Sequence, residues 1–414
     1  MRSQSSSIVA PEDVGLCPVR LRRLSDCISR DVDDGRIPGA VVLIARYGRV
    51  AFFEAFGFSD PDTRTPMSRD SLFRLASLTK PMTCAAAMML IEKGDLFLDD
   101  PVSKHLPEFE GLRAQAEGPQ KQRFREATIH DLFRHTAGFT YGEFGSGAVH
   151  QSYRQLQVLD NAQTSREMAE KLSKIPLVYQ PGTTFEYGMS TDVLGHLVER
   201  LTAQSLEDIL KSLILRPLGL SDSTFILDRR HHGRLAQASR DRATGARPWM
   251  PVYHDSYDPP RWHSGGGGLL STAHDYFLFL QMLLNGGTSS ELRLLASKSI
   301  DWMVSNHLPP DVGYGDYMET LGMMSPTPDR GQGFGLGFLV RLELGRNSVP
   351  GSIGDFSWAG VSGTYAWADP VEHLVVVLMM QAPSERTRYR ALTRQLVYQA
   401  LLKDSVNRSK GEFK

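Results

Sequence analysis

Phe73-Arg74-Leu75-Ala76-Ser77-Leu78-Thr79-Lys80-Pro81 stands immediately before an apolar run in which Met82, Ala85, Ala86, Met89 and Leu90 recur at helical spacing, and Gly94 follows as a stop. Ser77 is therefore expected at the start of a helix. The three-residue spacing to Lys80 puts hydroxyl and amine on one face, within reach of each other. Pro81 is tolerated in the first turn, where backbone N–H groups have no intrahelical partner. A serine hydroxyl becomes a useful nucleophile only when a neighbour takes its proton, and Lys80 is the neighbour at hand. A Ser cap followed by a solvated Lys has the same spelling, so the rest of the chain decides between them.

Composition narrows the choice. The chain has 414 residues, 41% apolar and 22% charged, enough for two lobes or one large composite domain with a generous core. Its 46 basic and 47 acidic residues nearly cancel, giving no broad field for nucleic acid or an anionic membrane; a small-molecule partner is expected. Cys17, Cys27 and Cys84 are odd in number and lack a C-x-x-C spacing, which points away from a disulfide framework or a zinc site. The first residues, Met1 to Pro11, hold no apolar run of the secretory kind. No stretch reaches the ~18 apolar residues of a spanning helix. A cytoplasmic, soluble protein is the expectation.

Working outward from Ser77, residues 19 to 34 read as an amphipathic helix through Leu21, Leu24, Ile28 and Val32. Gly39 to Arg46 and Arg49 to Phe56 read as strands joined at Tyr47-Gly48. Strand signals return at Phe334 to Leu342, Gly363 to Ala368 and His373 to Gln381, followed by a helix from Glu385 to Leu401. Between about 115 and 285 helices and loops alternate, as in Ser190 to Leu201 and Ala273 to Leu284. The economical architecture is α+β: an antiparallel sheet built from both chain ends and flanked by helices, with a mostly helical lobe inserted. Residues 15–114 and 286–405 are expected to form the first lobe and 115–285 the second, with the active site in the cleft between them.

Five segments together resemble the class C β-lactamases and their relatives. These are Phe73 to Pro81; Leu132-Phe133-Arg134-His135-Thr136-Ala137-Gly138-Phe139; Gln180-Pro181-Gly182-Thr183-Thr184-Phe185-Glu186-Tyr187; the Gly-rich Ser264 to Ser271; and Trp358-Ala359-Gly360, where the family carries Lys-Thr-Gly or a Trp-x-Gly variant. They span roughly residues 35 to 400. A Trp-x-Gly motif without a signal peptide is most similar to the class C β-lactamase-like carboxylesterases, called family VIII esterases, with the fungal polyketide acyltransferases as close relatives. The resemblance implies a β-lactamase/transpeptidase-like fold and catalysis without metal or cofactor. It also implies Ser77 as nucleophile, Lys80 as proton-relaying neighbour and Tyr187 as the group that takes and returns the Ser77 proton. The oxyanion hole it implies is made by the backbone N–H groups of Ser77 and Val361, with Trp358, Gly360 and Met189 in the substrate pocket.

Two departures bear on substrate. Tyr187-Gly188-Met189 replaces the Tyr-x-Asn of β-lactamases and peptidases, and a thioether cannot replace an amide-binding carboxamide. Trp358 replaces a lysine, leaving an apolar wall where a cation meets the β-lactam carboxylate. The expected function is hydrolysis of short, neutral acyl esters through a Ser77 acyl-enzyme. Acyl transfer to a small-molecule alcohol stands second, then β-lactamase or D-amino-acid peptidase activity, then a non-catalytic binder. His135 reads as structural and His231-His232 as a solvated turn rather than a metal pair. The chain holds no His-Glu-x-x-His, phosphate loop or G-x-S-x-G.

Overall fold

The computed structural model describes residues 8–115, 125–228, 232–240, 244–248 and 259–402. The first long helix, α1, is Pro18–Asp33. The Val/Ile-rich run after it becomes β1, Gly39–Arg46, which turns back into β2, Arg49–Asp60. Tyr47 and Gly48, with φ of 55° and 73°, supply the left-handed pair that a two-residue hairpin needs. A short β3, Thr65–Pro66, follows, and then α2, Thr79–Lys93, which closes on Gly94 at φ 81°. After α3 (Ser190–Thr202) and α4 (Ala273–Leu284) the chain returns through β4 (Gln332–Phe334), β5 (Leu339–Arg341), β6 (Phe356–Ala359), β7 (Tyr365–Asp369) and β8 (Leu374–Met380). It ends in α5, Arg386–Tyr398.

These strands form one eight-stranded antiparallel sheet in the order β4-β5-β6-β7-β8-β1-β2-β3. The two ends of the chain meet at its centre, where Ala40 to Arg46 of β1 run opposite Met380 to Leu374 of β8. Every residue of β1, β7 and β8 is buried. Strands so buried need cover on both faces; α1 and α5 pack together on one side, while α4 lies across β1, β7 and β8.

Two details differ from the sequence pattern. The single strand expected from Phe334 to Leu342 is a hairpin, because Gly335-Leu336-Gly337 turns the chain: the Gly335 N–H donates to the Phe338 carbonyl at 2.8 Å and Gly337 has φ 100°. β6 has only four residues and too few alternations to announce itself, yet it places Trp358.

A buried ion cluster fixes α5 to the sheet. Asp355 accepts two bonds of 2.9 Å from Arg394 on α5 and one of 2.7 Å from Arg341 at the end of β5, and all three side chains are almost fully covered. Removing the anion strands two cations in the core. Asp355→Ala is expected to lower unfolding free energy by about 3–5 kcal/mol, as for a broken buried pair, read by urea denaturation; a loss below about 1 kcal/mol would contradict this role.

Candidate active site

Ser77 lies in a single 3-10 turn, Ala76–Leu78, that feeds directly into α2. The residue before it, Ala76, is held at φ 48°, a left-handed conformation that a non-glycine residue adopts only when its surroundings impose it. Those surroundings are hydrogen bonds to the carbonyls just upstream. Ser362 Oγ and Gln381 Nε2 donate to the Arg74 carbonyl at 2.9 and 3.2 Å, and Thr364 Oγ1 donates to that of Leu75 at 2.8 Å. The loop carrying Ser77 is thus bolted to the turn between β6 and β7. Gly360 is required there, since a Cβ would fall 2.2 Å from the Leu75 oxygen.

The Gly-rich stretch wraps the start of α2 from the other side. Phe73 and Arg74 pair with Ser271 and Leu270, Leu269 N–H donates to Thr79 Oγ1 at 3.1 Å, and Thr83 Oγ1 donates to the Gly265 carbonyl at 2.9 Å. Side chains have no room: a Cβ on Gly266 would lie 2.2 Å from Asp192 Oδ2, and one on Gly265 2.8 Å from the Thr191 carbonyl. This close approach brings the Gly266 carbonyl to Lys80.

Lys80 is only 1% exposed. Its Nζ donates to the Gly266 carbonyl at 2.7 Å, to the Tyr141 hydroxyl at 3.0 Å and to Ser77 Oγ at 3.5 Å, and it lies 4.8 Å from the centre of the Tyr187 ring. Burial pulls its ammonium down to about 8, against the opposing pull of the Asp192 carboxylate. Asp192, buried at the start of α3, accepts from Ser264 Oγ and, at 3.0 Å, from the Gly266 N–H, while its Oδ2 has no hydrogen-bond partner among the described residues. Burial raises Asp192 above the usual carboxylate range, and Lys80 acts in the opposite direction.

Tyr187 arrives on the segment leading into α3. It is held by Gly188, which packs so closely on Phe139 and Thr140 that a Cβ would meet the Phe139 carbonyl at 2.6 Å. Its hydroxyl is hydrogen-bonded to Ser77 and receives the Trp358 Nε1–H at 3.4 Å. Its ring sits among Tyr317, Trp358 and His135. Burial moves the phenol above its ordinary range, and the bonds from Ser77 and Trp358 only partly offset this. Burial thus favours the neutral phenol at rest.

Two cavities meet at Ser77. One, of about 370 Å³, is lined by Ser77, Tyr187, Trp358, Val361, Arg386 and Arg390 among others; the second, of about 480 Å³, by Ser77, Val361, Tyr141, Phe144, Leu159 and Tyr317 among others. Ser77, Tyr187, Trp358 and Val361 are thus brought together, with Lys80 beneath them. Met189 and Gly360 are placed differently from the expected pocket. Met189 is fully buried and lines neither cavity, and Gly360 supports the loop carrying Ser77 from behind. Nor is the wall at Trp358 free of cations, because α5, remote in sequence, presents Arg386 and Arg390.

Sequence reading missed Tyr141, Asp192, Arg386 and Arg390. Tyr141 lies three residues past Gly138 of a segment already singled out, and Asp192 is a carboxylate at the head of a helix otherwise buried there; each gave a signal, though not a partner. His231 lies outside the described residues. No cluster of three or more His, Cys, Asp or Glu side chains able to hold a metal ion occurs among the described residues, and none of their helices is long and apolar enough to cross a membrane.

A family model described as Beta-lactamase matches residues 24–400. The chain belongs to the beta-lactamase family. Within it, Protein Rv1367c of Mycobacterium tuberculosis (strain ATCC 25618 / H37Rv) is 34% identical over 364 residues, 84% of this chain and 87% of that protein. Esterase EstB of Burkholderia gladioli is 29% identical over 386 residues, covering 88% and 91%. Among solved structures, that of EstCE1, a hydrolase with promiscuous acyltransferase activity, superposes with a TM-score of 0.76 at 28% identity, covering 92% of this chain and 98% of that one. The resemblance carried by the five segments, and the β-lactamase/transpeptidase-like fold it implied, are those of the family.

Proposed function

We propose that this member of the beta-lactamase family is a serine esterase that cleaves short acyl esters through an acyl-enzyme on Ser77. The observation that carries the reading is Lys80, a buried amine hydrogen-bonded to Ser77 Oγ and brought near neutrality by desolvation. An amine that titrates near 8 is a far better proton acceptor at neutral pH than a buried phenol. In this mechanism neutral Lys80 takes the Ser77 proton as Oγ attacks the ester carbonyl. Negative charge builds on the carbonyl oxygen, facing the Ser77 and Val361 N–H groups. Arg390 supports the second donor, because its Nη2 binds the Gly360 carbonyl at 2.6 Å and so polarises the peptide whose N–H belongs to Val361. Tyr187, bonded to Ser77, gives its phenolic proton to the departing alkoxide as the ester C–O bond breaks, and the Lys80 ammonium beside it reprotonates the phenolate and is neutral again. Water then repeats the sequence on the acyl-enzyme, releasing the acid and free Ser77. Similarity to EstB and EstCE1 over nearly the whole chain supports ester chemistry.

A second reading, transfer of the same acyl group to a small-molecule alcohol, is favoured by the paired cavities, which offer an acyl group and a bulky acceptor separate places beside one nucleophile. EstCE1 is described as having both activities.

With p-nitrophenyl butyrate as substrate, Lys80→Ala and Tyr187→Phe are each expected to lower kcat by about a hundredfold or more, with little further loss in the double mutant, since the two handle one proton. Near-normal turnover in Lys80→Ala would place the base elsewhere. The pH dependence tests the same assignment. Because neutral Lys80 is the active form, kcat/KM should be low on the acid side and rise as pH passes through about 8. Asp192 favours the ammonium, so Asp192→Asn, which keeps an oxygen acceptor for Ser264 and Gly266, should move that limb to lower pH. A shift to higher pH would contradict the charge relation.

A further inference from the structure

The cavity holding Ser77, Tyr187 and Trp358 ends on two arginines from α5, and one of them is unusual. Arg390 is 6% exposed, yet no carboxylate lies within ion-pair distance of it among the described residues, and its Nε has no hydrogen-bond partner there. The largest electrostatic influences on it come from Arg386 and from the hydroxyl-bearing rings of Tyr365, Tyr317 and Tyr187, none of them a carboxylate. Its hydrogen bond to the Gly360 carbonyl positions the guanidinium without neutralising it. One turn further along the same helix, the equally buried Arg394 shows the ordinary solution, with both Nη atoms on Asp355. Arg386 likewise spends its bond on a carbonyl, that of Pro383, and has no acid partner among the described residues. The acid of the second cavity, Glu143, lies on the other side of Ser77, and burial raises it toward its neutral form.

Burying a guanidinium without a counter-anion is strongly unfavourable. Two adjacent cations repel one another as well. A site that keeps such a pair on the wall of its reaction cavity is complementary to something negative, and a planar fork matches a carboxylate best. The expectation of neutral substrates followed from the loss of a lysine at position 358, but the charge has a different source, a helix near the end of the chain.

We propose that the substrate of this site, taken as the acyl-ester site described above, carries a carboxylate held by Arg390 and Arg386 while its ester carbonyl lies at Ser77. The carboxylate belongs either to the acyl part, as in a half-ester of a short dicarboxylic acid, or to the alcohol part. Both place an anion in one cavity with the ester.

Two substrate pairs separate these sources. Hydrolysis of p-nitrophenyl hemiglutarate is compared with that of p-nitrophenyl butyrate, and hydrolysis of the butyrate of 4-hydroxybenzoate with that of its methyl ester. In the pair whose charge falls on the arginines, the charged ester should be preferred in kcat/KM by about tenfold to a hundredfold, the range of a charge-assisted contact. The preference should largely vanish in Arg386→Gln and Arg390→Gln and survive in Arg386→Lys. A ratio is read, so any general loss of turnover cancels. The subsite is also read without chemistry, by calorimetric titration of glutarate into the wild type, with binding expected to weaken about tenfold in Arg386→Gln. Butyrate turnover with no preference for either charged ester would overturn the anion site and leave the esterase reading intact. Saturable, Arg386-dependent glutarate binding in a protein that cleaves no ester would support the anion site and overturn the esterase reading. Absence of glutarate binding together with absence of any charge preference would remove the anion site altogether.

Discussion

A single buried ammonium organises the centre of this molecule. Lys80 has three N–H donors in its charged form, and three oxygens meet it: the Gly266 carbonyl, the Tyr141 hydroxyl and Ser77 Oγ. Each acceptor comes from a different stretch of chain, so the need to satisfy one desolvated amine fixes how α2, the Gly-rich segment and the loop at Tyr141 approach one another. The same desolvation makes Lys80 chemically useful. Left in water it would stay protonated far above neutral pH; buried, and only partly recharged by Asp192, it titrates within reach of physiological pH. In the proposed mechanism, structure and reactivity therefore have one cause.

The second constraint is the closeness of backbone to backbone. Gly188, Gly265, Gly266 and Gly360 all stand where a Cβ would strike another main chain or a buried carboxylate. Their effect is to draw three loops and one sheet turn around Ser77 without side chains between them. The sheet supplies the rigid reference: β6 and β7 are buried, and their connecting turn holds the Arg74 and Leu75 carbonyls and forces Ala76 into a left-handed conformation. Donors on such a frame stay aimed while charge develops on a substrate oxygen, which is the condition for electrostatic stabilisation of a transition state.

Much of this was legible in the sequence because it depends on local pattern. The Val-, Ile- and Phe-rich runs and Tyr47-Gly48 turn of β1 and β2, the apolar spacing and Gly94 stop of α2, and the helices beginning at Ser190 and Ala273 need no distant partner to be read. Ser77, Lys80, Tyr187, Trp358 and Val361 were legible for another reason, the order of motifs along the chain, and the structure gathers all five. The remainder was hidden because it depends on distant pairing. β6 is four residues long and is stabilised by its neighbours in the sheet rather than by its own sequence. Met189 was expected in the pocket because it stands where relatives carry the asparagine of Tyr-x-Asn, yet just before α3 it is buried in the core. Arg386 and Arg390 lie more than three hundred residues downstream of Ser77, on a segment legible only as a helix; the packing of α5 against the sheet is what brings them to the cavity that holds Ser77.

The central claim is that Ser77 is the nucleophile of an acyl-enzyme. It is tested most directly by intact-protein mass spectrometry after brief exposure to a fluorophosphonate, followed by peptide mapping. The account predicts a single adduct, on the peptide containing Ser77, that slows as pH falls below the Lys80 titration and is absent in Ser77→Ala. An adduct that persists in Ser77→Ala, or that maps to another residue, would contradict it.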